Sequence, residues 1–194
     1  LDASNQRKKH GLPESYFFVC TRFLPRKNVD GLLLAYAAYR DRCGADAWGL
    51  VIAGSGDEEA RLRDLERSLR LGSVVWPGFL QYDQLPAYYG LASAFIHAAT
   101  SEPWGLVVNE AAATGLPLLV SRNVGAGREL VRHGENGFLF DPARADEMSG
   151  VLLQLTTMPA DTRAVMGRRS LDIAGHWTPR RFGEGLLAAL DVAA

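Results

Sequence analysis

The sequence is poor in what a metal site or a disulfide scaffold needs. Its 194 residues hold two cysteines, Cys20 and Cys43, and four histidines, with no C-x-x-C pair and no histidine at zinc-ligand spacing. Both thiols are expected to be reduced, as in a cytoplasmic protein. Excess charge is missing too: 21 Lys and Arg stand against 22 Asp and Glu, a formal net charge of -1. That balance excludes a global basic field for nucleic acid or an anionic membrane, so any anionic ligand must be held by a local cluster. No apolar run reaches membrane length, and the amino end, LDASNQRKKHGLPES, lacks an apolar signal core. Leu1 is not a methionine, which raises the expectation of an upstream part. What is present, 47% hydrophobic and 22% charged residues, is enough for one globular domain with a sizeable core.

Short β-branched or aromatic runs alternate with longer amphipathic ones, the pattern of an α/β domain with a mostly parallel sheet. Strands are expected at 16–22, 48–53, 73–76, 94–98, 117–121 and 137–140. Helices are expected near 28–42, 57–71, 83–91, 104–114 and 126–132, with Asn28, Asp57 and Asp83 as amino-terminal caps. In the second of these, Leu62, Leu65 and Leu69 form one apolar stripe for covering a sheet. Three more helices, near 144–157, 160–175 and 178–192, follow Pro142. Six strands make a doubly wound, Rossmann-like sheet, and such sheets bind ligands at the carboxyl ends of their strands. Function is therefore expected at 22–28, 54–57, 77–83, 99–107 and 122–127.

Three constellations fall there. AGSGDEEA suggests a dinucleotide loop, but Glu59 stands where the third glycine belongs, and Asp57, Glu58 and Glu59 would repel a pyrophosphate. It reads better as a plain turn that touches a ligand through Gly54. TRFLPRKNVDG gathers Arg22, Arg26 and Lys27 beside a helix start, which makes either an anion site or a solvated loop. In SEPWGLVVNEAAATGLPLLVS, a helix starting near Trp104 would offer the unpaired amides of Gly105, Leu106 and Val107 to a phosphate. Glu110 would then lie about 9 Å further along the axis, able to accept hydroxyls from a ribose, with Glu102 on the other side of the phosphates. Alternatively Glu102 is a helix-entry charge and Glu110 a surface residue. Aromatics such as Trp104 and Tyr82 read as core or wall residues.

The ordered set of these segments resembles the carboxy-terminal domain of GT-B fold retaining glycosyltransferases over residues 10 to 190. CTRFLPRKNVDG resembles the G-R-x-x-x-x-K-G loop of that family, EPWGLVVNEAAATGLPLLVS its E-x7-E segment, and NVGAGRELVRHGENGFLFDP the stretch that follows. The resemblance implies a nucleoside-diphosphate sugar as donor substrate and no cofactor or metal. Glu102 would lie at the sugar, orienting it in a front-face reaction. Gly105 to Val107 would give amides, Glu110 would bind ribose, and Arg22 and Lys27 would stabilise the leaving diphosphate. Hydrolysis between paired carboxylates is a minor alternative. The base would rest near Gly78 and Phe79.

Residues 1–14 would be a residual interdomain linker and 15–194 the donor domain, the acceptor half lying upstream. A stand-alone module acting with a partner subunit is the alternative. The acceptor would be a saccharide or a lipid-linked one, and the lipid case implies peripheral membrane association of the full protein. Thr21 and Asn28 replace glycines of the family loop, VGAGRE replaces a double glycine and proline, and His97 stands where a small residue is common. His97 is expected to be packed or substrate-side and not a general base.

Overall fold

Strands apolar on both faces require a layer on each side. A computed structural model, which describes residues 2–193, arranges six of them as one parallel sheet in the order β3-β2-β1-β4-β5-β6. The strands are β1 (Tyr16–Cys20), β2 (Gly49–Ala53), β3 (Val74–Gly78), β4 (Ala94–His97), β5 (Leu118–Ser121) and β6 (Gly137–Phe140). The helices are α1 (Ala3–His10), α2 (Val29–Cys43), α3 (Glu59–Ser68), α4 (Leu85–Leu91), α5 (Leu106–Ala113), α6 (Gly125–Leu130), α7 (Ala145–Thr157), α8 (Ala160–Ala174) and α9 (Pro179–Ala193). This is the doubly wound, Rossmann-like α/β fold that the alternation implies. The terminal residues of the two expected segments, Leu1 and Ala194, lie outside the described residues.

Strand residues sort by parity, as a pleat demands. Phe17, Val19, Leu50, Ile52 and Ile96 pack with α2, α3 and α7 on one face. Phe18, Val51, Phe95, Leu118 and Val120 pack with α4, α5 and α6 on the other. Each fully buried side chain of this size contributes about 1.5–3 kcal/mol, so both layers are firmly held to the sheet. No helix among the described residues is long and apolar enough to cross a membrane.

Several expected boundaries shift for local reasons. β1 ends at Cys20 and not at residue 22, although Thr21 and Phe23 still donate to Ala53 and Ser55 at 3.0 and 2.9 Å. β3 runs on through Gly78, whose carbonyl accepts from Gly54 at 2.9 Å. Asp57 and Asp83 are not caps. Glu58 and Gln84 occupy those positions, neither with a side-chain cap bond. Backbone acceptors already serve the first amides, Glu59 bonding to Gly56 and Leu85 to Gln81. Helix α1, within the segment read as linker, was not expected: it has no buried residue and no apolar stripe. Asp2 caps it, and Arg7 ties it to the carbonyls of Glu14 and Leu91.

Two glycines set how α8 lies beneath α5. A Cβ on Gly167 would stand 2.2 Å from the Gly115 carbonyl oxygen, and Gly115 itself has φ +74. Gly150, inside α7, meets nothing within 4 Å. Gly167→Ala is expected to destabilise by about 1–3 kcal/mol through overpacking. Gly150→Ala is expected to stabilise by about 0.5–1 kcal/mol through helix propensity. Urea denaturation of both variants checks the pair: equal midpoints would contradict the close approach.

Candidate functional site

β1 is flanked by β2 on one side and β4 on the other, so the chain leaves their carboxyl ends in diverging directions and opens a crevice. The loop after β1 forms one wall. Gly54, after β2, has φ +141, and a Cβ there would lie 1.8 Å from the Thr21 carbonyl oxygen, so only glycine fits. Thr21 has no positive φ, so its replacement of glycine leaves the loop unstrained. Asn28 does sit in the left-handed region, at φ 56, a conformation asparagine tolerates better than most residues. It precedes α2 as expected but makes no side-chain cap. Its amide nitrogen donates instead to Ala98 O at 3.1 Å and Pro142 O at 2.9 Å, fastening the loop to the end of β4 and the approach to α7.

The short 3-10 turn Pro25–Lys27 aims Lys27 across the crevice at Glu102, where the two side chains form a close ion pair. Arg26 Nη1 stands 3.7 Å from the same carboxylate oxygen and bonds Ser101 O at 3.3 Å. His97 Nε2 is also 3.7 Å from it. Glu102 cannot drift, because its backbone amide bonds Asn123 O and its carbonyl accepts from Gly125. A Cβ on Gly125 would meet the Pro103 carbonyl oxygen at 2.0 Å, which explains the first glycine in VGAGRE. Burial opposes ionisation of Glu102, but Lys27, His97 and Arg26 outweigh it and hold the carboxyl below its ordinary range. His97 is lowered as well, to about 4, by burial and then by Lys27, which in an imidazole favours the uncharged form. At neutral pH it is an uncharged imidazole.

The opposite wall is α5. It begins at Leu106, two residues later than expected, after Gly105 at φ +94. Of the anticipated amides those of Leu106 and Val107 open the first turn, while that of Gly105 stands just before it, and Glu110 lies only about 6 Å along the axis from Leu106, four residues at ~1.5 Å. Glu110 is half-buried, and its Oε2 accepts a 2.8 Å bond from the hydroxyl of Tyr89 on α4. Burial, with Cys20 and Glu110 adding to it, raises the Tyr89 hydroxyl far above its usual range, so it remains a donor. Cys20 is raised to about 11, chiefly by burial. Trp104 is a wall residue: its Nε1 bonds Asn109 at 2.9 Å and its ring packs on Trp177.

The walls enclose a cleft of about 770 Å³. Arg22, Lys27, Gly54, Phe79, Glu102, Trp104, Gly105, Leu106, Val107 and Glu110 all line it. Gly78 does not, serving instead as the acceptor for the Gly54 amide. Tyr82, at the rim, is 84% exposed, so it belongs to the wall and not to the core. Tyr89 and Cys20 were missed by sequence reasoning. Tyr88 and Tyr89 are adjacent aromatics in a short helix, and nothing local tells the one whose hydroxyl meets His10 from the one that reaches Glu110.

The Lys27–Glu102 pair has a direct signature. A carboxyl depressed in the folded state contributes stability that is complete above its unfolded value of about 4.3 and is lost as pH falls through the lower folded value. Carbon-13 NMR should find Glu102 titrating below that value. In Lys27→Met, burial is opposed only by the weaker partners, and the titration is expected to rise into or above the ordinary range. An unchanged curve would mean that the pair is not coupled.

Comparison with known proteins gives this arrangement its context. Residues 2–171 match the family described as Glycosyl transferases group 1. Over 170 residues the chain is 31% identical to a GDP-mannose-dependent alpha-(1-6)-phosphatidylinositol monomannoside mannosyltransferase of Mycobacterium tuberculosis, covering 83% of this chain and 43% of that protein. It is 31% identical to O-antigen chain mannosyltransferase B of Escherichia coli over 132 residues, 67% of this chain and 34% of that one. The chain thus spans less than half the length of these relatives. In fold it is similar to Anabaena HepE in complex with UDP, with TM-score 0.81, 23% identity and coverage of 96% of this chain and 52% of that one. It is also similar to the C-terminal domain of the glycosyl transferase group 1 family protein LpcC from Francisella tularensis, with TM-score 0.77, 18% identity and coverage of 91% and 92%. The chain therefore belongs to the glycosyl transferases group 1, and its fold is that of the carboxy-terminal Rossmann-like domain of a GT-B enzyme.

Proposed function

We propose that this chain is the donor-binding half of a retaining glycosyltransferase, which transfers a hexose from a nucleoside-diphosphate sugar to a saccharide or lipid-linked acceptor. One observation carries the reading: a helix start with free amides, Gly105 to Val107, lies between two carboxylates, Glu102 and Glu110, in a cleft whose other wall carries Arg22 and Lys27. That order matches the order of sugar, diphosphate and ribose along a donor. The mannosyl transfer in the names of the two relatives supports a hexose donor, and the UDP in the HepE complex supports a nucleotide in this fold.

In this reading the amides and the cations meet the diphosphate, where negative charge grows as the sugar C1–O bond breaks. Preorganised donors at that point supply the main stabilisation of the transition state, and Arg22 and Lys27 take the part a metal plays in other transferases. The acceptor hydroxyl attacks from the same face, bonding to C1 as its proton passes to the departing phosphate oxygen. Glu102 orients the sugar and is not a nucleophile. The Tyr89 bond occupies one lone pair of Glu110 Oε2, leaving its other acceptor sites for the ribose hydroxyls. Phe79 and Leu106, 68% and 70% exposed at the cleft, offer apolar surface to the base. The acceptor would be bound by the other half of the GT-B cleft, whether carried by the same protein or by a partner subunit.

Calorimetric titration of this chain with UDP-, GDP- and ADP-sugars tests the reading. At least one is expected to bind, with little transfer to any acceptor. Glu110→Ala and Lys27→Ala are each expected to weaken binding about tenfold or more, since a hydrogen bond to a charged group contributes ~1.5–3 kcal/mol. No binding by any nucleotide, or unchanged affinity in both variants, would sink it.

The role of Tyr89 calls for a separate comparison. Tyr89→Phe should cost a ribonucleoside diphosphate about five- to tenfold in affinity, ~1–1.4 kcal/mol, within the range of one ordinary hydrogen bond because the effect reaches the ligand only through Glu110. A 2′,3′-dideoxy analogue, which makes no use of Glu110, should be unaffected. Equal losses for both ligands would assign Tyr89 to packing alone.

A further inference from the structure

We propose that His97 is a positioning residue for Glu102, its Nε2–H taking over the carboxylate when a donor diphosphate draws Lys27 away. This rests on the donor-site reading above. His97 ends β4 with 1% of its surface exposed, and its Nε2 has no hydrogen-bond partner among the described residues. A buried polar nitrogen without a partner is costly to keep and is rare in folded proteins. Its retention calls for a state in which it is paired.

The geometry identifies that state. Glu102 Oε2 lies 3.7 Å from Nε2, short of bonding but within a small side-chain movement of the ordinary ~2.9 Å. The Glu102 main chain is fixed on both sides by Asn123 and Gly125, so only its carboxylate can pivot. The imidazole is equally fixed. It stacks on Phe95 at 6.3 Å between ring centroids, and a Cβ on Gly105 would come within 3.8 Å of its Cδ2, so the start of α5 closes over the ring. Lys27, meanwhile, lines the cleft while committed to Glu102. A diphosphate that recruits Lys27 removes the closest partner of a carboxylate that must stay ionised and aimed at the sugar. Arg26 is a poor replacement: half of its side chain is in solvent and it belongs to the same cationic loop.

The chemistry of imidazole suits the exchange. His97 is uncharged at neutral pH because burial and Lys27 disfavour its cation, so it does not compete with Lys27 for the phosphates. It still carries one N–H for Glu102. A lysine here would repel Lys27, and a phenylalanine would leave Glu102 dependent on Lys27, setting donor binding against carboxylate pairing. His97 acts through Glu102 and does not touch the reacting atoms.

The test titrates UDP and GDP into this chain and into His97→Phe and His97→Asn, each made in the wild-type and Glu102→Gln backgrounds, with thermal melts alongside. His97→Phe is expected to melt no lower than wild type yet bind the better nucleotide about tenfold more weakly. His97→Asn, which keeps an N–H donor, should stay within about threefold. In Glu102→Gln, which carries no charge to be held, His97→Phe should cause no further loss. Wild-type affinity in His97→Phe, or an equal loss in the Glu102→Gln background, would overturn the proposal while leaving the donor-site reading intact. Failure of wild type to bind either nucleotide would overturn both. Should His97→Phe not fold, nitrogen-15 NMR of wild type decides. A protected imidazole N–H resonance should emerge on saturation with nucleotide, and an unaltered ring spectrum would overturn the proposal.

Discussion

The cleft depends on one carboxylate shared between two loops. Glu102 follows β4 and Lys27 follows β1, and these strands are neighbours only because the sheet reverses its winding between them. The ion pair therefore closes across the topological switch point, where parallel α/β sheets bind ligands. Around it the structure has few free choices. Asn28 turns left-handed so that Lys27 can face inward, Gly105 and Gly125 let loops pass within contact of Glu102, and His97 fills the floor beneath. A chain of net charge -1 thereby concentrates cations at one point without a basic surface.

The pair also sets the charge of the cleft. Lys27 is neutralised by Glu102, so the cleft does not carry bare positive charge at that point. In the proposed reading a donor would replace that contact with its own, favouring ligands that satisfy the amides of α5 and the carboxylate of Glu110 together. Fixed positions elsewhere make such an exchange local. Glu110 is steadied by Tyr89, and the β2 wall by the Gly54–Gly78 bond.

Much of the fold was legible in the sequence because its signals are periodic. Six short apolar runs and the helices between them sit close to where their spacing implies. Helix α1 escaped because its residues are polar on every face, and Asp57 and Asp83 were misread as caps because backbone carbonyls satisfy those helix starts. The cleft residues were legible wherever a local pattern encodes the chemistry, as in Arg22 to Lys27 and Glu102 to Glu110. Gly78 was misplaced because a glycine that accepts a backbone bond looks like one that admits a ligand. Tyr89 could not be foreseen, since its contact with Glu110 joins helices 21 residues apart in the chain. Nor could the orphaned Nε2 of His97, because burial and missing partners are properties of packing.

The most direct measurement is a crystal structure of this chain with the nucleotide sugar that binds it most tightly. The account predicts the diphosphate against the amides of Gly105 to Val107, the ribose on Glu110, and Lys27 moved from Glu102 to the phosphates. A nucleotide seated elsewhere, such as between Pro13 and Gly49 at the amino ends of the strands, or a Lys27 still paired with Glu102 beside a bound diphosphate, would contradict it.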